Sequence, residues 1–355
     1  MIEKFVRKEV IKAKCYPEEM LPCTLKMDAN ENEWGLPLDI RALIAKDMTD
    51  YPFHRYPDSD STMLRERLSA YTGVPAENLM VGNGSDELIH YVVSTFVGAT
   101  DRVVIPAPAF SMYSFFVNLA GGVVIDVKPD ESFRIDAEKV VEAAAAENAN
   151  VVFICNPNNP TGSVLSLKEI KMVIEKSQAI VLVDEAYYEF YGQTVIDWID
   201  RYPNLIVIRT LSKAVALAGL RIGFLAAGGC IMKYLSRVKV PYNVNSFSQY
   251  AACRVLENRE SLDGWIDTFK MVRDDFINSL RHIEGVTVFP SQGNFVLLKM
   301  KHAQIVWDRL MEKGILTRKF GGGLLEDCIR VTVCPPQQNQ TFAAELKKCI
   351  GEAYP

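Results

Sequence analysis

Lys213 ends the run Arg209-Thr210-Leu211-Ser212-Lys213, directly behind the apolar stretch 205–208, and eight residues on comes Arg221, between glycines in Gly219-Leu220-Arg221-Ile222-Gly223. A lone lysine is ordinarily a solvated surface charge. Desolvated among cations, it gives up its proton more easily and can form a Schiff base with a carbonyl. Ser212 adds a hydroxyl, and Arg221 suits a phosphate. Upstream, residues 179–190 read AIVLVDEAYYEF, a buried strand that runs into Asp184, Glu185 and then Tyr187. Ligands of open α/β sheets lie beyond the carboxyl ends of the strands, where Asp184 falls. A turn or helix-capping aspartate has the same signature. A metal is disfavoured, because no histidine lies near and the chain has only four.

Two loops complete the set. Gly82-Asn83-Gly84-Ser85-Asp86-Glu87 joins a short strand to a helix, so its amides and the helix dipole could cradle an anion. The plainer reading is a capped turn with Ser85 as N-cap. Asn156-Pro157-Asn158-Asn159-Pro160-Thr161-Gly162 follows another buried strand; it makes a rigid turn and puts Asn159 where its amide could donate to a phenolate-like oxygen. An amine, an acid, an amide, a tyrosine and two phosphate-binding elements together meet the needs of pyridoxal phosphate. Its aldehyde needs the amine, its ring nitrogen a carboxylate, and its phosphate a cradle.

These residues need a scaffold, and the composition supplies one. The 355 residues are 49% hydrophobic and 23% charged, which excludes a disordered tail or a small stapled scaffold. Lysine plus arginine (39) against aspartate plus glutamate (44) gives −5, with no basic footprint for nucleic acid or an anionic membrane. Eight cysteines (Cys15, Cys23, Cys155, Cys230, Cys253, Cys328, Cys334, Cys349) include no CxxC pair, which fits a reducing cytoplasm better than a disulfide framework or a zinc site. The opening MIEKFVRKEVIKAK lacks the apolar core of a signal peptide. No stretch approaches the roughly 20 apolar residues of a membrane span.

Between about residues 60 and 250, short apolar runs at 79–81, 102–105, 123–127, 151–155, 180–183, 205–208 and 222–225 alternate with amphipathic segments at 62–72, 86–96, 137–147, 167–176 and 246–257. This is an α/β pattern, and strands apolar throughout imply a mostly parallel, doubly wound sheet covered on both faces. After residue 260 the texture changes to a long helical pattern through about His282, strands at 286–289, 295–299 and 329–333, and helices near 303–313 and at the end. The expected division is a large domain at 45–255 and a smaller α+β domain formed by 1–44 with 256–355.

The chain resembles the fold type I pyridoxal-phosphate-dependent aminotransferases, and within them the histidinol-phosphate aminotransferases of the class II subfamily. The likeness runs from Asp28-Ala29-Asn30-Glu31-Asn32 to Arg330-Val331-Thr332-Val333 and is strongest in NPNNPTG, VDEAY and RTLSKAVALAGLRIGF, with Arg55-Tyr56-Pro57-Asp58 and GNGSDELI also fitting. The resemblance implies that Lys213 holds the cofactor and shuttles the proton, that Asp184 pairs with the ring nitrogen, and that Asn159 and Tyr187 bind the ring oxygen. Gly84, Ser85 and Asp86, with Ser212 and Arg221, would take the phosphate. Tyr113, in FSMYS, would stack on the ring, and Tyr56 would reach the phosphate of a neighbouring subunit, implying a homodimer with shared active sites. Arg330 would clamp the substrate anion, with Arg318, Asn30 and Tyr16 lining the same site.

The implied reaction is amino-group exchange between L-histidinol phosphate and 2-oxoglutarate in histidine biosynthesis. A threonine-phosphate decarboxylase or an aromatic amino-acid aminotransferase would use the same scaffold. A non-catalytic protein that keeps the fold for binding is opposed by the pairing of Lys213 with Asp184. Two features depart from the family pattern: Cys334 and two prolines follow the Arg-Val-Thr-Val run where glycine is common, and residues 321–323 are all glycine. Cys334 is read as a small residue filling a glycine position.

Overall fold

The structure, a computed structural model, describes residues 2–13 and 21–353, apart from the side chains of 261–263. Its described strands, in chain order, are β1 (Leu25–Met27), β2 (Leu79–Asn83), β3 (Arg102–Pro106), β4 (Val123–Val127), β5 (Val151–Cys155), β6 (Ile180–Asp184), β7 (Leu205–Thr210), β8 (Ile222–Ala227), β9 (Thr287–Val288), β10 (Phe295–Lys299), β11 (Ile315–Lys319) and β12 (Cys328–Thr332).

The larger sheet has the order β2-β8-β7-β6-β5-β3-β4. Strands β3 to β7 and β4 pair in parallel, while β8 runs antiparallel to β7 and β2. The apolar strands alternate between two cores, as a period of two requires. Val152, Ile154, Val181, Val183 and Val207 join one cluster, and Val151, Phe153, Leu182, Ile206 and Ile208 the other. Helices cover both faces of the central strands β5, β6 and β7, which is why their buried runs show no polar side. Helix starts are written locally: Asp136 accepts from the amides of Glu138 and Lys139, and Ser166 with Glu169 forms a capping box on Leu167–Lys176.

The smaller sheet has the order β1-β11-β12-β10-β9, all antiparallel except the β1–β11 pair. Phe269, Phe276 and Leu280 from helix Glu260–Arg281, Val306 and Leu310 from Ala303–Glu312, and Phe342 and Leu346 from Pro336–Ala353 bury its core. Among the described residues, no helix is long and apolar enough to cross a membrane.

The described segments of residues 2–44 pack in two places. Helix Leu38–Asp47 puts Ile40 and Ile44, one turn apart on one face, into the larger sheet's core with Leu64, Leu68 and Ala251. Near the amino terminus, Arg7 Nη2 donates to the Leu119 carbonyl (2.6 Å), again on the large part. Of the segments in this stretch that the structure describes, β1 joins the small sheet, because β11 offers it a parallel ladder: Leu25, Lys26 and Met27 stand opposite Ile315, Leu316 and Thr317. At the other boundary, Leu256 belongs to the large core and Phe269 to the small one.

Candidate active site

The parallel strands β5, β6 and β7 end side by side, with Cys155 opposite Asp184 and Asp184 opposite Ile208. The loops leaving these ends carry Asn159, Tyr187 and Lys213, so three distant motifs meet at one sheet edge. Asp184 is buried and both of its carboxylate oxygens are held: Tyr113 Oη donates to Oδ2 (2.6 Å) and the Ala186 amide to Oδ1 (2.9 Å). Burial pushes its carboxyl up to about 6, against the pull of those two donors. Lys213 Nζ donates to the Ala29 carbonyl (2.9 Å). Burial first, then the charges of Arg330 and Arg221, hold its ammonium down to about 8.

The small sheet closes over these residues through the loop after β1. Asn30 donates from its amide nitrogen to the Tyr187 hydroxyl (3.0 Å) and from its backbone to Thr332 Oγ1 (3.0 Å), while Asn294 donates to the Asn30 carbonyl (2.9 Å). Asn30 takes positive φ (55°), a conformation that asparagine tolerates better than most residues. Burial raises the Tyr187 phenol, so it stays protonated. Arg330 Nη1 donates to Asn159 Oδ1 (2.5 Å), Nη2 donates to the Asp28 carbonyl, and the guanidinium lies 5.4 Å from the Phe295 ring centre. Arg318 and Arg330 are direct partners across β11 and β12.

A second cluster sits at the start of helix Gly84–Phe96. Its N-cap is Asn83, with no side-chain cap, so Ser85 is not the cap but lies inside the first turn. The helix begins early because Gly84 takes a φ of +79°, and its first-turn amides are left without intrahelical partners. Arg221 Nη2 reaches Asp86 Oδ2 (3.0 Å). A Cβ at Gly84 would lie 2.6 Å from Arg221 Nη2, and one at Gly223 would lie 2.6 Å from the Gly84 carbon and the Ser85 nitrogen. Both glycines therefore allow β8, Arg221 and the helix start to converge. In the loop that follows β7, Ser212 Oγ is buried with no hydrogen-bond partner.

One expected role needs restatement. Tyr113 does not offer a ring face: it is 1% exposed, stacked on Phe153 (4.9 Å, 19°) and bonded to Asp184, so packing has taken its faces. The aromatic side chain at this edge that keeps exposed surface is Phe110, N-cap of helix Ser111–Ala120, in a loop held by the bond from Asn158 Nδ2 to the Pro108 carbonyl (2.9 Å). Asn159 Oδ1 accepts from Arg330 Nη1. Tyr56 is 83% exposed and stacks on Tyr242 (4.9 Å, 25°). Tyr16 lies outside the described residues. Cys334 is buried, its amide donating to Asn339 Oδ1 (2.9 Å) and its thiol pushed up to about 12 by burial, as suits a small packing residue.

Sequence reading missed the ion pair behind Asp184. Arg209 Nη2 meets Glu185 Oε2 at 2.8 Å with both side chains buried, and the guanidinium lies 3.5 Å from the Tyr188 ring centre. The signal available was an arginine inside the otherwise apolar run of β7.

The family model for aminotransferase class I and II matches residues 24–346. The chain belongs to the class I and II aminotransferases. Within the family it is 42% identical over 355 residues to the histidinol-phosphate aminotransferase of Caldanaerobacter subterraneus subsp. tengcongensis, covering 99% of this chain and 100% of that one. It is likewise 42% identical over 351 residues to that of Thermoanaerobacter sp. (strain X514), covering 99% and 100%. Its fold is similar to the crystal structure of a histidinol-phosphate aminotransferase from Sinorhizobium meliloti in complex with pyridoxal-5'-phosphate, with a TM-score of 0.89, 25% identity and 98% of each chain covered. The parallel strand ends, Lys213 and Asp184 are thus placed in an aminotransferase scaffold.

Proposed function

We propose that this chain is a pyridoxal-phosphate-dependent aminotransferase that exchanges the amino group between L-histidinol phosphate and 2-oxoglutarate in histidine biosynthesis. The observation that carries the substrate half of this reading is that Arg318 stands opposite Arg330 across β11 and β12, and that Arg330 reaches Asn159 of the site. Guanidinium groups bind phosphate and carboxylate alike in bidentate fashion. Two of them serve a phosphate-bearing amine in one half-reaction and a dicarboxylate in the other.

The residues present fit the cofactor. Ser212 Oγ lacks a partner, the uncapped helix start and Arg221 form an anion cradle, Lys213 is a depressed amine, and Asp184 is a buried carboxylate. When bound, the cofactor supplies an aldehyde for the amino group and a protonated ring that accepts the electron pair released at the substrate carbon. Lys213 Nζ carries a proton at a group titrating near about 8, close enough to neutrality both to give and to take it. Asp184 would hold negative charge against the ring nitrogen. Asn159 and Tyr187 would orient the ring oxygen, and Phe110 rather than Tyr113 would be the ring available to lie against the cofactor. The bridge from Asn30 to Tyr187 draws the small sheet over the site and helps exclude water.

The exposed Tyr56, stacked on Tyr242, supports a homodimer in which that tyrosine reaches the partner's phosphate cradle. Seven described cysteines are free thiols, which supports a reducing compartment, the cytoplasm. The test is to add L-histidinol phosphate to the cofactor-loaded protein without any keto acid and follow the cofactor's absorbance. Conversion to the amine form, reversed by 2-oxoglutarate, is expected. An unchanged spectrum overturns the substrate reading, and carbon dioxide released from threonine phosphate would replace it with the decarboxylase.

A further inference from the structure

Tyr113 occupies a position that its expected stacking role does not explain. Phe153 lies beneath its ring (4.9 Å, 19°) and Phe110 meets it edge-on (5.6 Å, 87°), so two aromatic neighbours fix the plane in which its hydroxyl points. That hydroxyl donates to Asp184 Oδ2 at 2.6 Å, a short contact of the charge-assisted kind. The Ala186 amide takes Oδ1, so the two donors together fix the plane of the carboxyl group. We infer that Tyr113 is a positioning residue for Asp184: its hydroxyl orients the carboxylate and favours its ionised form, ready for the ring nitrogen of the cofactor. This rests on the pyridoxal phosphate reading given above.

The surroundings explain why such a donor is needed. Facing Asp184 are Tyr113, Cys155 at the end of β5, Asp86 from the first turn of helix Gly84–Phe96, and Glu185 and Tyr187 from its own loop. None of these is a cation. Asp86 and Glu185 push the Asp184 carboxyl up, as burial does, and the Tyr113 hydroxyl heads the opposing donors. Burial keeps the Tyr113 phenol protonated and pushes the Cys155 thiol up to about 12, so neither becomes a competing anion near neutrality. A phenol locked by stacking donates without the reorganisation that a mobile side chain or a water would require.

The experiment compares wild type with Tyr113→Phe, which keeps the ring and both aromatic contacts and removes only the hydroxyl. Apoproteins are titrated with pyridoxal phosphate between about pH 6 and about pH 9, and the dissociation constant is read from protein fluorescence quenching. Without its donor, Asp184 holds its proton to higher pH, and only the ionised carboxylate pairs with a protonated ring. The variant should therefore bind about ten-fold more weakly at the acid end, with the ratio to wild type falling toward about one at the alkaline end. Lys213 titrates in both proteins and cancels in the ratio. In an Asp184→Asn background, adding Tyr113→Phe should change the dissociation constant little at any pH.

A ratio that stays constant across the range, or an equal loss in the Asp184→Asn background, makes Tyr113 a packing residue and overturns the inference alone. A wild-type protein that takes up no cofactor overturns the functional reading as well.

Discussion

Arg318 and Arg330 face each other directly across the antiparallel strands β11 and β12, two cations at one register position. Two guanidinium groups on one face of a sheet can bind one anion together, each in bidentate fashion. With the cofactor saturating, Arg330→Gln should raise KM for histidinol phosphate by about 10- to 100-fold, the worth of a lost charge-assisted contact. Arg318→Gln should do so less, because Arg330 also holds Asn159 and the Asp28 carbonyl. Steady-state kinetics decide it, and unchanged KM values in both variants would remove the anion-handle role.

The cofactor-free protein should carry a stability penalty at Lys213. Its ammonium is held down to about 8 from an ordinary 10.5. Between those values the unfolded chain binds the extra proton, so this contribution to stability rises with pH through that window and is least favourable below about 8. Lys213→Met should therefore raise the melting midpoint of the apoprotein near neutral pH while abolishing turnover. The gain should shrink as the pH approaches 10.5. Differential scanning calorimetry measures it, and a variant less stable than wild type at every pH contradicts the assigned burial penalty.

The Glu185–Arg209 pair is buried on both sides at 2.8 Å, with Thr194 donating to Glu185 as well. Removing one partner leaves the other charge buried and alone. Glu185→Gln or Arg209→Met should thus cost about 3 to 5 kcal/mol in urea unfolding. A loss below about 1 kcal/mol would show that the pair is dispensable.

Gly223 is held to glycine by space rather than by backbone angle, since an added Cβ would come within 2.6 Å of the Gly84 carbon and the Ser85 nitrogen. Gly223→Ala should displace the helix start and weaken cofactor binding by at least about ten-fold, the worth of one charged phosphate contact. Equilibrium dialysis against pyridoxal phosphate reads this directly.

Shared sites can be tested by complementation. A Lys213→Ala subunit mixed with a Tyr56→Ala subunit forms, in half of the dimers, one site that is wild type at both positions. Random reassociation of equal amounts should restore activity to about a quarter of the wild-type level. If each parent alone is impaired and the mixture gains nothing, Tyr56 does not act across a subunit boundary.

Much of this protein was determined by local sequence. Apolar runs of strand length alternating with amphipathic ones specify a sheet covered on both faces, because a strand buried on both sides has no polar period. Lys213, Asp184 and Asn159 were legible for the same reason, since each follows a run that can only be a central parallel strand. What the tertiary structure alone decided depends on pairings between segments far apart in the chain. Local propensity cannot state that three residues at Leu25–Met27 would add to β11, or that Arg318 would land opposite Arg330. It cannot say that Ile40 and Ile44 would turn to the larger sheet rather than the smaller. Tyr113 shows the limit most plainly: its motif identified an aromatic residue beside the site, but whether it stacks or donates is set by Phe153, Phe110 and Asp184, which arrive from other segments of the chain.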